Sequence, residues 1–320
     1  MLIIKYLFRG WVKFMGYFSE LLSDIVARLK LESGEDLPFK LKNISEDISS
    51  ETYEIRDNCA AKKYGKPIGK YEIYTIPSVL DVLKSDRDRI ITALVNSVSS
   101  MLGKVSKSSR VLVVGLGNRH ISSDSLGAKV CHKINVVMDL KNFPTVMAIC
   151  PSVLGLTGIE TYDIVRGVCE SVKPTHMILI DSLCASATVR LGRSIQLSNT
   201  GLCPGSGIGN NRRCIDSSLC RNIISIGVPL LIYASTFIKD SFYKNNIDIS
   251  LVRNIMQTAE NLSNNEDFLN FINGIEKIYN DSLDGIVVTS KDIENIVEIL
   301  SSMISEAINK SLGVVELFDR

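Results

Sequence analysis

Two carboxylates stand where they could do chemistry together. Asp124 lies in residues 111–127, VLVVGLGNRHISSDSLG, and Asp181 follows the apolar run at 177–180. Two acids that approach each other resist simultaneous ionisation, so one can keep a proton while the other stays charged. That division suits hydrolysis of an amide through a water: one carboxyl takes a proton from the water and the other supplies one to the leaving nitrogen. The order adopted from the sequence is Asp181 as base and Asp124 as acid, with the pair able to titrate as a unit. Each also has an ordinary use, Asp124 as a helix N-cap and Asp181 as a strand-end carboxylate bonded to backbone.

The elements around them are those that present side chains at the carboxyl edge of an open α/β sheet. Val111 to Val114 read as a buried parallel strand, Gly115 and Gly117 as a tight turn, and Leu126, Val130, Ile134 and Val137 as the apolar face of a following helix. Further strands are expected at 71–76, 145–149, 177–180, 193–198, 222–226 and 286–289. Helices are expected at 86–102, at 158–172 with Glu160 in the first turn, and at 290–312 with Ser290 as cap. Residues 240–284 read as mixed helix and loop. Strands alternating with helices predict an α/β fold, a mainly parallel sheet flanked by helices.

The turn GLGNRH is a poor dinucleotide fingerprint, because His120 occupies the place of its third glycine. The glycine-rich stretch 201–210, GLCPGSGIGN, lacks the GK[ST] of a phosphate loop and reads as a surface loop or as a backbone wall beside a site. The net charge of +1 gives no global field for nucleic acid. With three histidines and no HExxH, a zinc-protease site is not expected, and no metal or cofactor is assigned. The eight cysteines include no CxxC pair, and they read as reduced thiols of a cytosolic protein.

Residues 1–31 form a basic amphipathic stretch, with Lys5, Arg9 and Lys13 spaced for one helical face. It reads either as a helix lying on a membrane surface or as one packed on its own core or on a sister subunit. Residues 32–66 are polar and read as a linker or mobile arm. The chain therefore divides into an N-terminal, propeptide-like extension at 1–66 and an α/β domain at 67–320.

The sequence resembles the germination proteases of endospore-forming bacteria. The resemblance rests on GKPIGKYEIYTIP (65–77), VLVVGLGNRHISSDSLGAKV (111–130), PSVLGLTGIETYDIVRGV (151–168), MILIDSLCA (177–185), IQLSNTGLCPGSGIGNNR (195–212), IISIGVP (223–229) and VVTSKDIENIVEIL (287–300). It implies an endopeptidase made as a zymogen, acting on small acid-soluble spore proteins in the forespore or spore core, and assembled as a homotetramer. It implies an α/β sandwich similar to that of the hydrogenase maturation endopeptidases. The family's essential aspartates fall on Asp124 and Asp181, and the site wall is assigned to Asn118, Glu160, Cys203, Gly205, Ser206, Gly207 and Asn210. YEIRDNCA (53–60) matches the family's arginine-threonine-aspartate motif only loosely. His120, Asn199 and Cys203 depart from its usual residues, which leaves open a processing peptidase of the maturation type or a catalytically weak binding relative.

Overall fold

The valine-rich run ahead of the glycine turn forms a strand buried on both faces. The computed structural model describes residues 20–34, 36–138, 140–203, 213–234, 236–237 and 286–315. In it, β4 (Arg110–Gly115) sends Val111 and Val113 into one core and Leu112 and Val114 into another. This is the alternation that a strand imposes on its side chains. β5 (Thr145–Ile149) and β6 (His176–Ala185) pair parallel to it on either side, and β8 (Asn222–Tyr233) continues the parallel set beyond β6.

One face of this set is covered by α3 (Lys84–Leu102), α4 (Leu126–His132) and α7 (Ile293–Ser311). Ile90, Leu94 and Val98 of α3 and Val297, Leu300 and Ile304 of α7 recur at helical spacing, and all are buried there. The opposite face is covered by α6 (Thr161–Val172) through Val165 and Cys169. A short helix, α5 (Leu154–Thr157), precedes α6.

The sheet as a whole is mixed, which corrects the expectation of a mainly parallel one. Among the described residues its order is β1-β2-β3-β7-β8-β6-β4-β5, with the short β9 (Val287–Val288) beside β8. Pairings within β5-β4-β6-β8 are parallel, and all others are antiparallel. The antiparallel half is built from β1 (Phe39–Asn43), β2 (Ser49–Ile55), β3 (Gly69–Thr75) and β7 (Ser194–Ser198).

Residues 32–66 are therefore not a linker or mobile arm. They contain β1, β2 and the helix α2 (Asn58–Tyr64); β1 pairs in register with β2, and β2 with β3. Their polar composition misleads because a strand needs apolar residues on one face only. Tyr53 and Ile55 supply that face and, with Tyr64 of α2, join Tyr71 and Ile73 in a separate core. α1 (Leu22–Ser33) closes this core with Leu22 and Val26. This part of the N-terminal region packs on the protein's own core. Lys5, Arg9 and Lys13 lie outside the described residues, as does 240–284. Among the described residues, no helix is long and apolar enough to cross a membrane.

Three boundaries differ from expectation in ways that matter for the site. β6 runs on to Ala185, so Asp181 lies within a strand and pairs with Gly227. α4 ends at His132, and Val137 forms an antiparallel bridge with Val146 instead of a fourth helical contact. α7 begins at Ile293 behind Asp292, while Ser290 Oγ accepts the Asp292 N–H at 3.2 Å.

Candidate active site

The site begins where β4 stops. Gly115 must lack a side chain, because a Cβ there would collide with the backbone of Gly127 in α4 and crowd Cys131 Sγ. At Gly117 the chain turns through φ +94°, a conformation glycine adopts without strain. A Cβ on Gly117 would also sit 2.7 Å from Asp124 Oδ1, so the glycine lets the carboxylate lie against the turn. Leu116 N–H donates to the Ile180 carbonyl at 2.8 Å, which ties the turn to the residue before Asp181. These contacts draw Asp124 and Asp181 to one edge of the parallel set.

Asp124 ends the 3-10 turn Ser122–Asp124. Its Oδ2 accepts the Asn118 N–H at 2.7 Å. It is not the N-cap of α4, a position held by Ser125 without a side-chain cap bond. Asp181 Oδ1 accepts the Ser182 N–H at 2.9 Å, so part of its ordinary strand role is realised.

Burial raises the Asp124 carboxyl to about 6, against the opposing hydrogen bond from Asn118 and with help from the negative charge of Glu20. Burial also raises the Asp181 carboxyl well above its ordinary value, followed by repulsion from Asp124 and then Glu20. The charge of Asp124 is thus one cause of the raised Asp181 carboxyl.

Glu20 carries no sequence signal. Its carboxylate Oε2 accepts the Cys184 N–H at 2.9 Å, and its own N–H donates to the Cys184 carbonyl at 3.0 Å. Gln196 clamps the same segment, its Oε1 accepting Leu22 N–H at 2.9 Å and its Nε2 donating to the Glu20 carbonyl at 3.3 Å. The amide of Gln196, within the expected strand RSIQLS (193–198), is the sequence signal for this clamp, and the side chain is buried.

Hydrogen bonds describe the surroundings of Asn118, Glu160 and Asn199. The Asn118 side chain accepts His120 N–H at 2.9 Å and shapes the turn. Glu160 is the N-cap residue of α6, its carbonyl accepting the N–H groups of Asp163 and Ile164. Asn199 Oδ1 accepts Lys70 N–H at 2.7 Å, a task that its amide performs without a carboxylate's charge.

Cys203 is joined to Cys214 in a disulfide, which corrects the reading of every thiol as reduced. Leu202 and Ile215 exchange both backbone hydrogen bonds, at 3.0 and 2.8 Å, and so bring the next residues face to face with Cα atoms 4.0 Å apart. A separation of 11 residues concealed that hairpin-like pairing. Gly205, Ser206, Gly207 and Asn210 lie outside the described residues. Among those described, no cluster of His, Cys, Asp and Glu has the arrangement of a metal site.

Two partly buried carboxyls with raised proton affinities, at the edge of a parallel strand set, suit a hydrolase. The sequence model of the germination proteases matches residues 28–251. A germination protease of Caldanaerobacter subterraneus subsp. tengcongensis is 35% identical over 281 residues, covering 83% of this chain and 85% of that protein. One from Clostridium perfringens is 32% identical over 293 residues, covering 86% and 87%. One from Clostridium acetobutylicum is 33% identical over 285 residues, covering 83% and 85%. The chain belongs to the germination protease family. It is an endopeptidase of spore germination.

Proposed function

We propose that this endopeptidase acts on small acid-soluble spore proteins, and that Asp124 and Asp181 divide the chemistry between them. The observation that carries this is that both carboxyls are raised, Asp124 to about 6 by burial and Asp181 by burial and by the charge of Asp124. At neutral pH Asp124 is the carboxylate that takes a proton from the attacking water. Asp181 is the acid that gives one to the leaving nitrogen. This reverses the order adopted from the sequence.

The antiparallel half of the sheet bears on maturation. A cut inside β1 or β2 would sever strands paired to the sheet. The connection at 36–38, between α1 and β1, lies outside both elements. We place the maturation cut there, where it releases α1 and with it the charge of Glu20 beside the two aspartates. The parallel strands, with α4 and α6 on opposite faces, support likeness to the hydrogenase maturation endopeptidases. Assembly as a homotetramer in the forespore or spore core, and contact of residues 1–31 with a membrane surface, remain part of the same proposal.

The test is incubation of purified protein, before and after removal of its N-terminal segment, with a small acid-soluble spore protein, reading fragments by mass. Discrete internal cleavage that disappears in Asp181→Asn is expected. An inert protein in both forms, or undiminished cleavage by Asp181→Asn, refutes the assignment. N-terminal sequencing of protein from sporulating cells locates the cut.

A further inference from the structure

Two cysteines next to the site take no part in the chemistry above. Cys131 is on the last turn of α4, and Cys150 directly follows β5. Cys131 Sγ lies 3.4 Å from the carbonyl of Ile149, the residue before Cys150, and 3.9 Å from that of Val113. Cys150 Sγ lies 3.9 Å from the carbonyl of Ala128, one helical turn before Cys131. These contacts put both sulfurs in the seam between α4 and the end of β5. Cys131 is buried, while Cys150 is partly open to solvent.

The surroundings set these thiols apart from the other buried cysteines. The hydrogen bond from Cys131 and, after it, the positive charge of Arg119 hold the Cys150 thiol below the ordinary range. The same hydrogen bond and burial push Cys131 up. Burial pushes Cys169, Cys184 and Cys220 up as well. A partly exposed sulfur beside a cation, with a second thiol behind it, is the arrangement of an attacking and a resolving cysteine.

We propose that Cys150 and Cys131 form a peroxide-reactive dithiol beside the active site, with Cys150 the attacking and Cys131 the resolving sulfur. The Cys150 thiolate attacks one oxygen of hydrogen peroxide. The O–O bond breaks, hydroxide leaves and takes up a proton to become water, and Cys150 becomes a sulfenic acid. Cys131 sulfur then attacks Cys150 sulfur. The S–O bond breaks, and the departing hydroxyl leaves as a second water with the proton of Cys131. Two thiols lose two electrons, and one peroxide is reduced to two waters. The resulting bond links α4, which starts two residues after Asp124, to the end of β5. The inference is independent of the identity of the protein substrate.

The experiment treats the full-length protein with one equivalent of hydrogen peroxide and maps peptides by mass, with and without dithiothreitol. A Cys131–Cys150 cross-linked peptide, lighter by two hydrogens and restored by the reductant, is expected. In Cys131→Ser, dimedone should label Cys150 at least ten-fold more than in the unmutated protein, because the sulfenic acid has no resolving partner. In Cys150→Ser, Cys131 should stay unoxidised. Phenylarsine oxide, which bridges two neighbouring thiols, should protect both from alkylation. Peroxide consumed at exposed Cys59 with no Cys131–Cys150 link, or equal dimedone labelling in the unmutated protein and Cys131→Ser, overturns the proposal. The mapping is made on the unmutated protein, so a variant that fails to fold does not decide it.

Discussion

Replacing Asp124 by asparagine should make the folded protein more stable at neutral pH while removing its activity. In the unfolded chain this carboxyl titrates near 3.8, and in the fold near about 6. The folded state therefore holds the proton more tightly, and stability falls as pH climbs from about 4 to about 6. At ~1.4 kcal/mol per pH unit, the ionised side chain costs the native state ~3 kcal/mol at pH 7. Asp124 is only partly buried, and solvent screening reduces that to ~2 kcal/mol. Asparagine keeps an oxygen to accept the Asn118 N–H, but loses the charge that strengthens this bond. A net gain of about 1–2 kcal/mol is expected at pH 7, shrinking to nothing near pH 4, where the native aspartic acid is also neutral. Urea unfolding of both proteins at pH 4, 5.5 and 7 measures the difference, in which other titrating groups largely cancel. Cleavage of a spore protein should fall by about 10²–10⁴-fold in the same variant, the range for loss of a proton-transfer group. A variant less stable than the parent at pH 7 that still cleaves would refute the reasoning, because Asp124 would then be a structural acceptor alone.

The same proton bookkeeping gives kcat/KM a rising limb centred near pH 6, as Asp124 ionises, and a falling limb at higher pH, as Asp181 loses its proton. A flat profile across pH 5 to 8 would contradict it. Gly117→Ala forces a Cβ against Asp124 at φ +94° and should cost about 1–3 kcal/mol and most of the activity, measured by urea unfolding and spore-protein cleavage. Leu22→Ala removes a fully buried side chain that joins α1 to the antiparallel half of the sheet, with an expected loss of about 2–5 kcal/mol in the full-length protein. A loss below about 0.5 kcal/mol, the scale of an exposed site, would mean that α1 contributes nothing to the fold.

The local sequence was enough to mark the parallel strands and the turn between them. Val111 to Val114 are all apolar because both faces of β4 are covered, and a run of that kind can be read without knowing its neighbours. Gly115, Gly117 and Asp124 follow at a spacing that only a strand, a turn and a helix start explain, and Asp181 ends a second such run. The antiparallel half was hidden, since Ser49 to Ile55 needs one apolar face and takes its remaining support from hydrogen bonds to β3. Contacts between distant parts of the chain were equally out of reach. The carboxylate of Glu20 reaches Cys184, Gln196 clamps the same segment, and the pairing of Leu202 with Ile215 joins Cys203 to Cys214. Residue types named the two acids, but the order in which they hold protons depends on burial and on the distances between charges. Those quantities exist only once the sheet has brought Glu20, Asp124 and Asp181 to one edge.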